Sequence, residues 1–377
     1  MTRLAGSSKL LRAMNESAAL ALLLDRGTLT RGDLRELTGL SKPTTSEVMR
    51  RLTDAGLALV VGHTSGGPGP SAEIYAANPA AGHAIAISVR ETPPGLVGVL
   101  CDLTGTVVAR AEAEAGEPVA TVSGLAADLT ARARLTPGAV NLVQLGLPGS
   151  YDARAGLVRH IDAPGWDRPG LVADLAARIG ATVAADNDVN LAAIAERHHG
   201  VAGDADSFAL VWFGGGLGLA IDLGGTLLRG ARGGAGEIGY VPVGLGGGDL
   251  TDLVGGPGVL RLAAEHGVAA PTPHDAVAAG GDAFLDALAG RIAYGLAAVA
   301  AVLDPPLIVL AGEVARAGGP GLADRVTAAL RATTPLDTAI AVTGITGDPV
   351  LLGALVAAHQ ALREQIIDNL RDAVPAA

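Results

Sequence analysis

With 377 residues, 49% of them hydrophobic and 17% charged, the chain has the balance of a compact globular protein and the length for two or three domains. A net charge of -11 excludes a surface that coats nucleic acid throughout. The single cysteine, Cys101, excludes disulfides within the chain and any thiolate-rich metal site, which fits a reducing, cytoplasmic setting.

The charge is unevenly spread. Residues 1–64 hold nine Lys/Arg against six Asp/Glu, a net of +3, which leaves -14 for the rest. A mildly basic head on an acidic body suits a small DNA-reading module joined to something that does not touch DNA. The longest uncharged apolar-and-glycine runs, Phe208 to Ile221 and Ile292 to Leu303, fall short of the roughly 18 residues of a membrane span. Ala18 to Leu24 lacks the cleavage site of a signal peptide.

In chain order, Leu10, Leu11, Met14, Ala18, Ala21 and Leu22 recur at helical spacing and predict a first helix ending near Gly27. Thr30-Arg31-Gly32-Asp33 reads as a capping box opening a short second helix, with Leu34 and Leu37 inward. After the Thr38-Gly39-Leu40 turn, Ser41 caps a third helix with Pro43 in its first turn, the pattern of a helix-turn-helix. If Thr45, Val48 and Leu52 face the core, Lys42, Pro43, Ser46, Glu47 and Arg50 face outward, toward a major groove. Base contacts are expected from Ser46 and Arg50, phosphate contacts from Lys42 and Arg51, with Thr44 on the same turn; a solvated surface helix is the competing reading. Ala58 to Gly62 and Ala72 to Ala76 read as strands flanking a Gly-Pro-rich wing tip that carries no arginine.

Asn15, the string from Leu37 to Thr44, Ala55-Gly56-Leu57 and the wing together resemble the head of the ROK family (repressor, open reading frame, kinase). The resemblance continues through Leu147-Pro148-Gly149, Pro164-Gly165-Trp166, Asp186 to Asn190 with Glu196, Gly234 to Gly239, and Leu303-Asp304-Pro305 before the strand Leu307 to Leu310. It implies an α/β actin-like (ribonuclease-H-like, two-lobed) sensor domain over residues 79–377 behind a winged helix-turn-helix domain over residues 1–78. Lobe one is expected at about 79–185 plus the C-terminal helix, lobe two at about 186–350, in a homodimer or tetramer. Leu351, Leu352, Leu355, Val356, Leu362, Ile366 and Leu370 predict that C-terminal helix, and it is a candidate to pack near the head.

A kinase of this type needs an Asp-x-Gly-x-Thr turn after its first strand, where backbone amides and a metal-binding carboxylate meet the phosphates. Here the strand His83 to Ile87 runs into Ser88-Val89-Arg90-Glu91-Thr92-Pro93-Pro94. Asp102 to Thr106 and Asp222 to Thr226 mimic the motif but read as hairpin turns. In Gly214 to Gly218, Gly215 stands where the family carries threonine.

The resemblance assigns the sugar-contacting side to Asn187, Asp188 and Glu237, with Asp162, Tyr240 and Asp252 beside them; helix capping is the competing role for Asp186-Asn187-Asp188. Tyr240 stands where the family has a zinc-binding histidine, and no cysteine follows it, so the family's metal site cannot be assembled. His198-His199 reads as the cationic end of a helix rather than a metal pair. The resulting expectation is a repressor of carbohydrate-related genes, binding double-stranded operator DNA and a sugar or sugar derivative, with no catalytic residue, cofactor or metal. A sugar kinase with an appended head, and a ligand-independent regulator with a vestigial pocket, are the alternatives.

Overall fold

The computed structural model describes residues 3–64, 71–91, 93–159, 165–244 and 247–372. In the head, helix α1 (Arg3–Arg26) ends at Gly27, whose φ of 81° takes the left-handed conformation that stops it. Its buried stripe is Ala13, Ser17, Leu20 and Leu23, whereas Leu10, Leu11 and Met14 are exposed. The core-facing phase of α1 therefore differs from that of the sequence pattern. Strand β1 (Thr28–Thr30), unforeseen in the sequence, leads into α2 (Arg31–Thr38), where Thr30 and Asp33 close the expected capping box. Leu34 is buried but Leu37 lies outside, against expectation, because an eight-residue helix buries only one narrow face.

Helix α3 (Lys42–Asp54) starts on the Ser41 cap and buries Thr45, Val48, Met49 and Leu52. Strands β2 (Ala58–His63) and β3 (Glu73–Ala77) complete a three-stranded sheet in the order β1-β3-β2. Residues 65–70, the expected wing tip, lie outside the described residues.

The first lobe's sheet is built from β4 (His83–Glu91), β5 (Pro94–Asp102), β6 (Val107–Glu114), β7 (Leu142–Leu147) and a later strand. Helix α4 (Pro118–Arg132) follows β6, and β8 (Ser150–Asp152), β9 (Leu157–Arg159) and α5 (Leu171–Ile179) precede β10 (Thr182–Asn187). The strand order is β10-β7-β4-β5-β6, with β4, β5 and β6 antiparallel and β7 and β10 parallel to β4. Alternation along β4 turns Ala84 and Ala86 to one face and Ile85, Ile87 and Val89 to the face covered by α4 and α5.

Helix α6 (Asp188–His199) crosses to the second lobe, where β11 (Ser207–Phe213), β12 (Leu217–Leu223) and β13 (Thr226–Leu227) form a meander. After α7 (Leu250–Val254), α8 (Gly256–Glu265), α9 (Pro273–Ala279) and α10 (Asp282–Leu303), strand β14 (Leu307–Ala311), α11 (Gly312–Thr333) and β15 (Ala339–Val342) follow. Its order, β13-β12-β11-β14-β15, repeats that of the first lobe: the first three strands antiparallel and the last two added in parallel beside the first. This duplication is the expected actin-like architecture. By length and composition α10 could cross a membrane, yet its Phe284, Leu288, Ile292 and Leu296 are buried in the second lobe's core.

Helix α12 (Pro349–Asp372) returns across α6, β4 and β7 and reaches α1. There the Ser17 hydroxyl donates to the Ile367 carbonyl at 3.4 Å and Arg363 pairs with Asp25. Leu20, Leu23 and Tyr75 of the head, Ala84 and Val99 of lobe one, and Leu362 and Ile366 of α12 belong to one apolar cluster. Burial of a large apolar side chain stabilises by about 1.5–3 kcal/mol, so this seam ties the head firmly to the body.

Candidate effector cleft and DNA-reading face

Strands β7 and β10 run parallel with Asn187 opposite Leu147, so both chains leave the sheet at the same edge, beside the second lobe. Open α/β sheets bind ligands beyond such carboxyl ends. Asn187 caps α6: its side-chain oxygen accepts from the amides of Val189 and Asn190 at 2.8 and 3.2 Å, and its amide donates to the Gly149 carbonyl at 3.2 Å. The capping role is thus filled, and it fixes the next residue, Asp188, at the head of the helix.

One Asp188 oxygen accepts from the Val189 amide at 2.8 Å. Withdrawal of the carboxyl from water, and then the charges of Glu91 and Glu237, push its pKa up to about 7. Three carboxyls from separate segments therefore influence one point: Asp188 on α6, Glu91 at the end of β4, and Glu237 on the loop from the second lobe. Near neutral pH the Asp188 carboxyl can donate or accept, as recognition of a hydroxyl requires.

The Glu237 loop is shaped by glycine. Gly233 and Gly236 take φ of 76° and 96°, and a Cβ on them would strike the carbonyls of Tyr151 and Leu219 respectively. The loop thus lies directly on β8 of the first lobe and on β12, where the Leu219 amide donates to the Gly236 carbonyl at 3.0 Å.

Of the other expected cleft residues, Asp162 lies outside the described residues. Tyr240 is exposed at the end of a 3-10 turn, Ile238–Tyr240. Asp252 forms a capping box with Asp249 at the start of α7, which packs on that turn. Glu196 is buried two turns along α6, accepting from the Val201 amide at 2.9 Å and from the Thr343 hydroxyl, a structural tie rather than a cleft contact. Residues 240–248 offer no thiolate or imidazole, so the family's zinc ion does not fit here.

On the phosphate side, β4 does not end at Ile87 as expected. It continues to Glu91, which pairs with Pro94 of β5, leaving a two-residue connection. Val89 is buried and faces Leu96 in the register, so the alternation simply carries on. Arg90 holds Asp348, just ahead of α12, at 3.0 Å. Gly214 closes on the Gly216 carbonyl at 3.0 Å, and the Gly215 carbonyl accepts from the Gly256 amide. Among the described residues, this end of the hairpin presents a carboxylate and no amide cradle for phosphate. Asp102 accepts from Thr104 and Thr106 amides, and Asp222 from the Gly225 amide while pairing with Arg197 at 2.5 Å; both are hairpin turns, as expected. His198 and His199 lie in the last turn of α6 as expected, but burial, then the nearby His199 and Arg197, lower the His198 pKa and disfavour the charged form expected there.

In the head, α3 presents Lys42, Pro43 and Arg50 to solvent, with Thr44 and Ser46 partly exposed. The Thr44 hydroxyl bonds to that of Ser41 at 2.7 Å. Arg50 grips Glu47 at 2.8 Å and Asp54 at 2.6 Å, and Arg51 holds Glu47 at 2.7 Å. Hydrogen bonds from Arg50 and then Arg51 hold the Glu47 carboxyl down to about 2. Glu47, left out of the expected contact set, is thus the hub of this face; its i,i+3 and i,i+4 spacing to the arginines was the available signal.

Residues 96–360 match the model of the ROK family. The chain is 30% identical to a glucokinase of Halalkalibacterium halodurans over 205 residues, 47% of this chain and 62% of that enzyme. It is 25% identical to the xylose repressor of Caldicellulosiruptor bescii over 244 residues, 63% of this chain and 61% of the repressor. The matched segments thus span less than two thirds of these relatives. Among solved structures, a ROK family transcriptional regulator, a homologue of the E. coli MLC protein, superposes with a TM-score of 0.74 at 20% identity, covering 96% of this chain and 99% of that one.

Proposed function

Because this chain belongs to the ROK family, we propose that it works as a transcriptional regulator, a cytoplasmic repressor of carbohydrate-related genes whose affinity for double-stranded operator DNA changes when a sugar or sugar derivative enters the cleft. The observation that carries this reading is the seam: the winged head shares one apolar core with α12, whose other end begins beside Arg90 at the cleft. Ligand-dependent movement of the lobes then has a rigid element through which to reach α3.

Lys42, Pro43, Thr44, Ser46, Arg50 and Arg51 form the DNA-reading set, and Asn187, Asp188 and Glu237 the polyol set, with Tyr240 and Asp252 at its margin; Asp162 joins that set from the family resemblance alone. A homodimer or tetramer presents two heads to paired half-sites. The closed β4–β5 hairpin supports a sensor without phosphoryl transfer.

A thermal-shift panel of hexoses, pentoses, amino sugars, their phosphates and ATP tests this, since a ligand that binds only the folded state raises its stability. The expected result is a shift with one neutral sugar class, none with ATP, and altered retention of the protein on DNA from its own promoter region in the presence of that sugar. Sugar-dependent ATP consumption would overturn it in favour of a kinase.

A further inference from the structure

Asp186 is the next-to-last residue of the first lobe's β10, one residue before the α6 cap, yet its partners come from both lobes. One carboxylate oxygen accepts from the Asn187 amide at 2.9 Å and from the Asn190 side chain at 3.0 Å. The other receives Nε and Nη2 of Arg229 at 3.0 and 2.7 Å. Arg229 follows β13 of the second lobe, and the Ala235 amide donates to its carbonyl at 3.2 Å, so the same residue folds the glycine loop that carries Glu237. Asp186 is largely buried while Arg229 is half exposed.

We propose that Arg229 is the latch of the cleft, a positioning residue whose guanidinium clamps the second lobe's Glu237 loop onto the first lobe's Asp186 and thereby sets Asn187 and Asp188 opposite Glu237. Three facts converge on this. The pair joins segments of different lobes at the cleft edge. Its carboxylate simultaneously orders the first turn of α6. The loop between Arg229 and Glu237 lies on the Tyr151 carbonyl through Gly233, where no side chain fits. A two-donor grip on one largely buried oxygen is stronger than a solvated pair, yet an arginine half in water can release it, so the latch is reversible. This rests on the effector reading only for what the latch positions; the clamp itself is tested without any sugar.

The test is hydrogen exchange by mass spectrometry on the full chain, comparing wild type, Arg229→Gln, Arg229→Lys, Asp186→Asn and the double variant Arg229→Gln/Asp186→Asn. Arg229→Gln is expected to speed exchange over residues 230–239 and 187–190 by about fivefold, with β11 unchanged as the sign of an intact fold. Arg229→Lys restores most of the protection, the double variant is no worse than Arg229→Gln alone, and raising the salt concentration speeds exchange there in wild type but not in Arg229→Gln. Unchanged exchange in Arg229→Gln, or additive single variants, overturns the latch. D-xylose and D-glucose serve as probes in a parallel thermal-shift titration. If wild type responds to one of them, a full response in Arg229→Gln also overturns the positioning role; if it responds to neither, the effector reading is weakened and the exchange comparison alone decides the latch.

Discussion

The outward face of α3 and the cleft around Asp188 solve opposite electrostatic problems. On α3, opposite charges are paired at the surface: Arg50 with Glu47 and Asp54, Arg51 with Glu47. In the cleft, like charges are brought near one another: Asp188 feels Glu91 and Glu237 and is also withdrawn from water. Exposed ion pairs are held weakly and can be exchanged for phosphates at little cost. Crowded carboxyls withdrawn from water weaken the fold and are relieved by a proton or by a ligand that donates hydrogen bonds. In the proposed regulator the head keeps its DNA-binding charge in reserve, whereas the cleft holds a strain that a proton or a hydrogen-bonding ligand relieves.

The largest expected effect lies in the cleft. Replacing Glu237 by Gln swaps an acceptor for a group that also donates, and should weaken binding of whichever sugar stabilises the protein by about a hundredfold. Isothermal titration checks it. Undiminished affinity would remove Glu237 from the polyol set and break the comparison on its cleft side.

Next comes the strain itself. The folded-state pKa of Asp188 lies above its ordinary value of 3.8, at about 7, so between those values the folded protein binds more protons than the unfolded chain. Stability from this group is therefore complete below about pH 4, declines as pH rises toward 7, and stays low above it. Asp188→Asn should leave melting unchanged relative to wild type near pH 4 and raise stability by roughly 1–3 kcal/mol at pH 8. Parallel unfolding curves at both pH values test this, and a gain independent of pH would mean that the carboxyl is not strained. The head should respond less: Arg50→Ala is expected to weaken specific operator binding about tenfold in a fluorescence anisotropy assay, with little change in stability. Equal affinities would assign Arg50 to the ion pairs alone.

What could be seen in the sequence was mostly what is decided locally. The Thr30-Asp33 box, the Ser41 cap and the turns at Asp102 and Asp222 involve partners within a few residues, so residue type and spacing specify them. The capping role of Asn187 was legible as the competing reading of its Asp-Asn-Asp cluster, and the structure shows those bonds made. The departures come from distant partners. Strand β1 exists because β3 pairs with it, and β4 outruns its predicted end because β5 folds back on it. Glu91 lies in a segment that the sequence marks only by its lack of the kinase turn, not as a third charge near Asp188, and nothing local singles out Arg229, because its carboxylate partner lies in the other lobe. The exposed positions of Leu10, Met14 and Leu37 show a periodicity that was real but assigned the wrong phase.

The smallest effect is the most discriminating for the head. Glu47 takes hydrogen bonds from both arginines that would face DNA, so removing its charge without changing its shape should release them. Glu47→Gln is expected to tighten binding to non-specific duplex about threefold and to steepen the dependence of log affinity on log salt by about 1 for each arginine freed to meet a phosphate, since each displaces a counterion. Loss of specific binding with no change in salt slope would mean something different: that Glu47 itself accepts from a cytosine amino group, and that the pairs on α3 orient a reading carboxylate rather than restrain two arginines.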